Sequence, residues 1–289
     1  MTAPWAPGSS SSTWSDASYP RAAFVDDHRL VVAEGARRTF ASPPATDAAT
    51  ALAELPADAV VVGAARFAPA GREGPRDDDA NAGDDDQGDD IDAAWAPFGG
   101  ALWVEPARLS VLPWPASGAT TRVAPDAQDV VDVVDRDGPR FRAAVAAALA
   151  AIAAGDVDKV VLARRFFVPL PSAFARVPSL WTSLLAHAAH GGGAPYLLAP
   201  RAGVALLGTS PERLVVVDDT QVTTDAVAGT RPATRAAELW SSDKDAREHA
   251  LVVEHLQRAL HTVMGAATVE PRGLRTVGAV AHRHAVVRA

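Results

Sequence analysis

The 289-residue chain is 48% hydrophobic, enough for one large domain or two small ones. It contains no cysteine, which excludes disulfides and thiolate metal sites and points to a reducing compartment, the cytoplasm. A net charge of -8 argues against nucleic acid or an anionic membrane surface as partner, and no run approaches the about 18 unbroken apolar residues of a membrane span.

Residues 1–20, opening MTAPWAPGSSSSTWSD, lack the basic region and apolar core of a secretory signal and read as a disordered tail. From Ala23 to Ala41 the pattern predicts two short strands around a turn, then a short helix over 47–54 and a buried strand, AVVVGAARF, over 59–67. Eight aspartates fall between Asp77 and Asp90. Such a run repels itself and buries nothing, so 71–94 is expected to be a disordered acidic loop. An EF-hand reading fails on ligand spacing and on the missing closing glutamate. Strand-like alternation resumes in AAWAPFGGALWVEPARLSVL.

Asp137-Gly138-Pro139 opens a predicted helix that runs to about Ala154, where Gly155 stops it. The next stretch, GDVDKVVLARRF at 155–166, has the composition of a buried strand but carries Lys159 among Val157, Val160, Val161 and Leu162. Burying an ammonium is costly unless it is paired or gives up its proton, so Lys159 belongs either to a sheet edge or to chemistry. A helix follows over Pro178–His190, ended by Gly191-Gly192-Gly193. His187 and His190 in its last turn suit the helix dipole better than a metal. Strands are predicted near 195–199 and 203–208, then a β-hairpin around Asp218-Asp219-Thr220. A long helix opens at Ser242, with Asp245 at capping-box spacing. Strands and helices that do not strictly alternate predict an α+β layered fold rather than a Rossmann fold.

Three places could carry chemistry. Val252, Leu256, Leu260 and Met264 share a helix face, and stepping back four residues puts Glu248 at the head of that stripe. A carboxylate there is paired, protonated or holding a cation, unless the first turn is exposed and Glu248 only complements the dipole. Glu212 enters a strand from a Ser-Pro-Glu turn, where a sheet can hold a functional side chain rigidly. Gly229-Thr230 could offer backbone N–H groups to an anion. No Gly-x-Ser-x-Gly, His-Glu-x-x-His, phosphate loop or dinucleotide fingerprint is present.

Four stretches, in this order, are similar to the chorismate-utilising enzymes: GDVDKVVLAR at 155–164, LLGTSPERLV at 206–215, AVAGTRP at 226–232 and SSDKDAREHALVV at 241–253. VVGAARF and LRTVGAVAH resemble weaker family segments on either side. The resemblance implies a single domain over 21–289 with the family's layered α+β fold, mostly antiparallel sheets and outer helices, incomplete at the C-terminus. Where amine-transferring anthranilate synthases usually carry glutamine, this chain has Lys159, and where aminodeoxychorismate synthases place a lysine it has Ala228. That pattern resembles the branch that adds water, the isochorismate synthases, whose product would supply menaquinone or a catechol siderophore. A salicylate synthase and a non-catalytic remnant are the alternatives.

The resemblance also implies roles. Lys159 matches the general base that activates water for attack at C2 of chorismate, its apolar neighbours favouring the neutral amine. Glu212 matches the general acid for the hydroxyl leaving C4. Glu248 matches a ligand of Mg²⁺, the expected cofactor, and Ala228, Gly229 and Thr230 match the segment that lines the substrate. A monomer with chorismate as its partner, and without a glutamine amidotransferase subunit, is expected. The chain departs from the family in a shorter segment between Thr230 and Lys244 and in Arg283, where an apolar residue is usual. Family members also continue beyond the point where this sequence stops. The absent part normally supplies a second metal-binding glutamate and a substrate-gripping arginine, so the 289-residue chain is expected not to make isochorismate.

Overall fold

The structure, a computed structural model, describes residues 20–25, 29–42, 59–65, 101–114, 135, 138–164, 166, 168, 177–201 and 204–289. The helix expected over 47–54, the acidic loop at 71–94 and residues 1–19 of the expected tail lie outside the described residues. Pro20, the last residue of that tail, is buried at the start of the first strand. The described elements fall into two compact units.

The first unit is a stack of three layers. Its middle is a five-stranded antiparallel sheet of β1 (Pro20–Val25), β2 (Arg29–Glu34), β6 (Arg108–Pro113), β7 (Ala194–Arg201) and β8 (Val204–Ser210), in the order β6-β2-β1-β7-β8. Helix α2 (Val177–Ala189) covers one face, setting Trp181 and Leu185 against Ala23, Leu30, Val32 and Leu197. A three-stranded sheet of β3 (Arg38–Ser42), β5 (Ala101–Glu105) and β4 (Val62–Ala65) covers the other, with Leu102 and Val104 against Ala22, Ala33 and Leu198. Burial on both faces explains why β2 reads as an unbroken apolar run, Leu30-Val31-Val32-Ala33, rather than an alternating one. Each of the leucine and valine side chains contributes about 1.5–3 kcal/mol on burial.

Two expectations are corrected here. The two strands read between Ala23 and Ala41 are three, because Gly35, at φ 63°, turns the chain out of β2 before β3 begins. The single alternating stretch ending at Leu112 is split between β5 and β6, which belong to different sheets. Pro106 separates them, and it has no N–H to continue a ladder. The helix end at Gly191 is as expected: His190 Nδ1–H donates to the Ala186 carbonyl at 2.7 Å.

The second unit holds helix α1 (Gly138–Ala154) and the four-stranded path β11-β13-β10-β9, formed by β9 (Val216–Asp218), β10 (Gln221–Pro232), β11 (Thr268–Val269) and β13 (Val280–Arg288). A further strand, β12 (Gly273–Val277), also pairs with β13, and all of these pairings are antiparallel. A short helix α3 (Ala236–Ser241) precedes the long α4 (Asp243–Met264). The predicted cap is present: Ser242 Oγ accepts the Asp245 N–H at 3.2 Å. At the other end Gly265 adopts the left-handed conformation. Helix α4 packs Val253, Val252 and Leu256 on Ala226 and Ala285 of the sheet.

The stripe on α4 is rotated from the one read in the sequence. Its fully buried members are Asp245, His249 and Val253, while Met264 is exposed. The strand expected over 155–166 does not form. Residues 157–164 pair with no described strand, and Val161 is 83% exposed. The run has strand-like composition, but a ladder needs a partner, and none of the described strands lies beside it. Among the described residues no helix is long and apolar enough to cross a membrane.

Candidate active site

All of the sequence-predicted site residues lie in the second unit, on four pieces of chain. Lys159 follows α1, Glu212 precedes β9, Ala228-Gly229-Thr230 lies within β10, and Glu248 is on the second turn of α4. Lys159 Nζ is 3.9 Å from Glu248 Oε1, and Lys244 Nζ, one turn back on α4, donates to Glu248 Oε2 at 2.6 Å. The apolar enclosure expected around Lys159 is absent among the described residues, since Val157, Val160, Val161 and Leu162 are exposed. The lysine side chain is 29% exposed and is met by a carboxylate instead.

Glu212 as a residue is exposed, yet its carboxyl lies against β10, where Oε1 accepts the Val227 N–H at 3.3 Å. Partial burial raises its pKa above the usual carboxylate value. The Val227 hydrogen bond and the charges of Lys159 and His284 oppose that shift, and the Asp225 carboxylate reinforces it. Lys159 thus lies beside Glu248, and its charge is felt at Glu212.

Gly229 shows why this strand needs glycine. The ladder between β10 and β13 pairs Ala228 with Arg283 and Thr230 with His282, leaving Gly229 as the extra residue of a β-bulge at φ 70°. A Cβ there would meet Leu239 Cδ1 at 3.1 Å and Asp245 Cβ at 3.3 Å. The bulge shifts the alternation by one residue. Thr230 therefore shares a face with His282, its Oγ1 2.9 Å from Nδ1, while Arg231 reaches Asp245 on α4 at 3.0 Å. Ala228 is buried opposite Arg283.

Two functional-looking residues, Asp225 and His249, escaped the sequence reading, and a third, Arg283, stood there only as a departure from the family. Asp225, on β10, has a fully buried side chain that accepts hydrogen bonds from the Arg213 backbone at 3.1 Å, Arg213 Nε at 3.1 Å, Arg275 at 3.2 Å and His284 Nε2–H at 3.1 Å. Burial alone would raise its pKa, but the hydrogen bonds from Arg213 and His284 outweigh it and lower the value to about 2. His249 is fully buried, with Nε2–H donating to the Ala226 carbonyl at 3.1 Å, and burial pushes its pKa down, so the ring is neutral. Arg283, unusual on the family resemblance, has a clear use here. Its guanidinium stacks over Trp240 at 4.9 Å and donates to the carbonyls of Leu239, at 3.1 Å, and Trp240 at the end of α3. The alternation of VTTDAVAG placed Asp225 inside a strand, which is the signal that was available; His249 was lost with the one-residue error in the helix stripe.

Glu248 is the one expected metal ligand, and its carboxylate is already met by two ammonium groups. Among the described residues no three His, Asp or Glu side chains gather where they could hold an ion. These residues do not by themselves make up a magnesium site.

Residues 106–289 match the sequence pattern of the chorismate binding enzyme family. Anthranilate synthase component 1 of Bacillus caldotenax is 30% identical over 177 residues, covering 58% of this chain and 33% of that protein. An isochorismate synthase of Bacillus subtilis is 36% identical over 138 residues, covering 42% of this chain and 33% of its own length. The chain thus spans about a third of the length of these curated relatives. In fold it is similar to a crystal structure described as a putative 2,3-dihydroxybenzoate-specific isochorismate synthase of Bacillus anthracis, with TM-score 0.66 at 21% identity over 96% of this chain and 69% of that one.

Proposed function

The chain belongs to the chorismate binding enzyme family, and we propose that the protein acts as an isochorismate synthase, converting chorismate to isochorismate. The observation that carries this reading is that Lys159, set beside Glu248, makes its charge felt at Glu212, whose pKa partial burial raises. A base and a proton donor in one site are what a water-for-hydroxyl exchange needs.

In the proposed reaction Lys159 is the base that takes a proton from water as the water oxygen bonds to C2. Both ring double bonds shift, C1=C2 to C1=C6 and C5=C6 to C4=C5, the C4–O bond breaks, and Glu212 gives its proton to the departing hydroxide. One water enters and one leaves, so the sum is an isomerisation and no glutamine-hydrolysing partner is required. The Ala228–Thr230 segment would line the substrate, with Gly229 allowing close approach of the backbone. Magnesium enters the reading on the resemblance alone. Glu248 would offer it one carboxylate, and no step is routed through it.

Anthranilate synthases match this chain as well, but Lys159 stands where the resemblance places their glutamine, which favours water over ammonia as nucleophile. The test is chromatography of chorismate incubated with Mg²⁺, with and without ammonium, and with the chain extended by the C-terminal segment of a family member, in the parent and in Lys159→Gln. The 289-residue chain alone is expected to stay silent. Isochorismate should form without pyruvate or anthranilate, and its rate should fall by about 10²–10⁴ in the variant. Anthranilate, pyruvate release, or a variant within about threefold of its parent would overturn the assignment.

A further inference from the structure

The segment that carries Glu212 is neither helix nor strand, so something else must hold it. The holding is done from β10. Asp225 N–H donates to the Arg213 carbonyl at 3.3 Å, and its Oδ2 accepts the Arg213 N–H at 3.1 Å. Thr224 Oγ1–H donates to the Leu214 carbonyl at 2.7 Å, and Val227 N–H donates to Glu212 itself. Consecutive residues of the 212–214 segment are thereby fastened to a single strand, and the central fastening is a buried anion. Arg275 on β12 and His284 on β13 anchor the same carboxylate from the far side.

We propose that Asp225 is the positioning residue of this site: through Arg213 it fixes the chain that bears Glu212, and its buried negative charge disfavours a second charge on the Glu212 carboxyl. This rests on the reading of Glu212 as the proton donor. The geometry explains why an aspartate occupies the interior of β10, where an apolar residue would pack more cheaply. An asparagine there would keep one acceptor oxygen but lose the field. Glu212 is faced by Asp225, Lys159 and His284, and Asp225 by Arg213, Arg275 and His284, so the balance between them can be shifted in both directions by substitution.

The experiment is a carbon-detected NMR titration of the Glu212 carboxyl in the full 289-residue protein, with the resonance assigned through Glu212→Gln. In Asp225→Asn the titration midpoint of Glu212 should fall. In Arg275→Met, where the anion keeps Arg213 and His284 but loses one compensating cation, it should rise. Thr224→Val loosens the same segment without touching charge and should leave the midpoint in place. Opposite movement in the first two variants is the expected result, and the rise in Arg275→Met decides the matter should Asp225→Asn not fold. A Glu212 midpoint indifferent to both, or one moved as far by Thr224→Val, overturns the proposal. Turnover, read in the chain extended by the C-terminal segment of a family member, is a separate readout: the alkaline limb of kcat should move with the Glu212 midpoint while KM stays. If Glu212 moves as stated but Lys159→Gln keeps its rate, the functional reading fails and the coupling stands.

Discussion

Replacing Gly229 by alanine perturbs the bulge through two separable costs. At φ 70° an L side chain loses about 1–2 kcal/mol relative to glycine. The added methyl would also sit 3.1 Å from Leu239 Cδ1 and 3.3 Å from Asp245 Cβ. Leu239 is fully buried and Asp245 is tied to Arg231 and to the cap of α4, so neither gives way freely, and overpacking of this kind costs about 1–3 kcal/mol. The sum is about 2–5 kcal/mol. Gly265 supplies the internal control, because at φ 81° it bears the same conformational cost with nothing within 4 Å of its absent Cβ. Urea unfolding of the parent, Gly229→Ala and Gly265→Ala, with hydrogen exchange at the Val253 amide as a local reporter, should place Gly229→Ala the lower by about 1–3 kcal/mol at unchanged slope. Equal losses in the two variants would show that α3 and α4 yield to the extra methyl, and the packing argument would be wrong.

Acid should weaken the second unit in two stages. The lowered pKa of buried His249 means its contribution is present above the ordinary histidine value and is lost as pH falls below it. Asp225, held at about 2, contributes stability that is present above about pH 4 and disappears between about pH 4 and pH 2, worth roughly 2–3 kcal/mol. Glu212 acts with the opposite sign across the carboxylate range, so Asp225→Asn should flatten the second stage; an unchanged acid transition would contradict the assignment. Arg283→Met should cost about 2 kcal/mol by leaving the carbonyls of Leu239 and Trp240 without donors, and a loss under about 0.5 kcal/mol in thermal unfolding would show that water replaces the guanidinium.

What could be read from the sequence was local. Ser242 and Asp245 announced the start of α4, Gly155 and Gly191 the ends of α1 and α2, and Asp218-Asp219-Thr220 the turn into β10, because caps and turns are set by residues close in the chain. Pairing at long range was not legible: β1 lies between β2 and the far later β7, and nothing in Ala22–Phe24 names Tyr196–Leu198 as neighbours. Composition also misled at 157–164, where valines that favour a strand find no ladder among the described residues. In the candidate site, Lys159, Glu212 and Glu248 stood out through motif resemblance, and the structure sets Lys159 beside Glu248 with its charge felt at Glu212. Asp225 and His249 carry no motif, and their importance comes from partners such as Arg275, His284 and Ala226 that only the folded sheet assembles.

Helix α3 has six residues, too few to persist alone in water. The donors that close its carboxyl end come from Arg283, 44 positions away from Leu239 and 43 from Trp240. Such a helix gains its terminal hydrogen bonds only after β13 has reached the sheet, so it belongs to the last events of folding rather than to the nucleus. Substitutions within Ala236–Ser241 should then accelerate unfolding and leave the refolding rate alone.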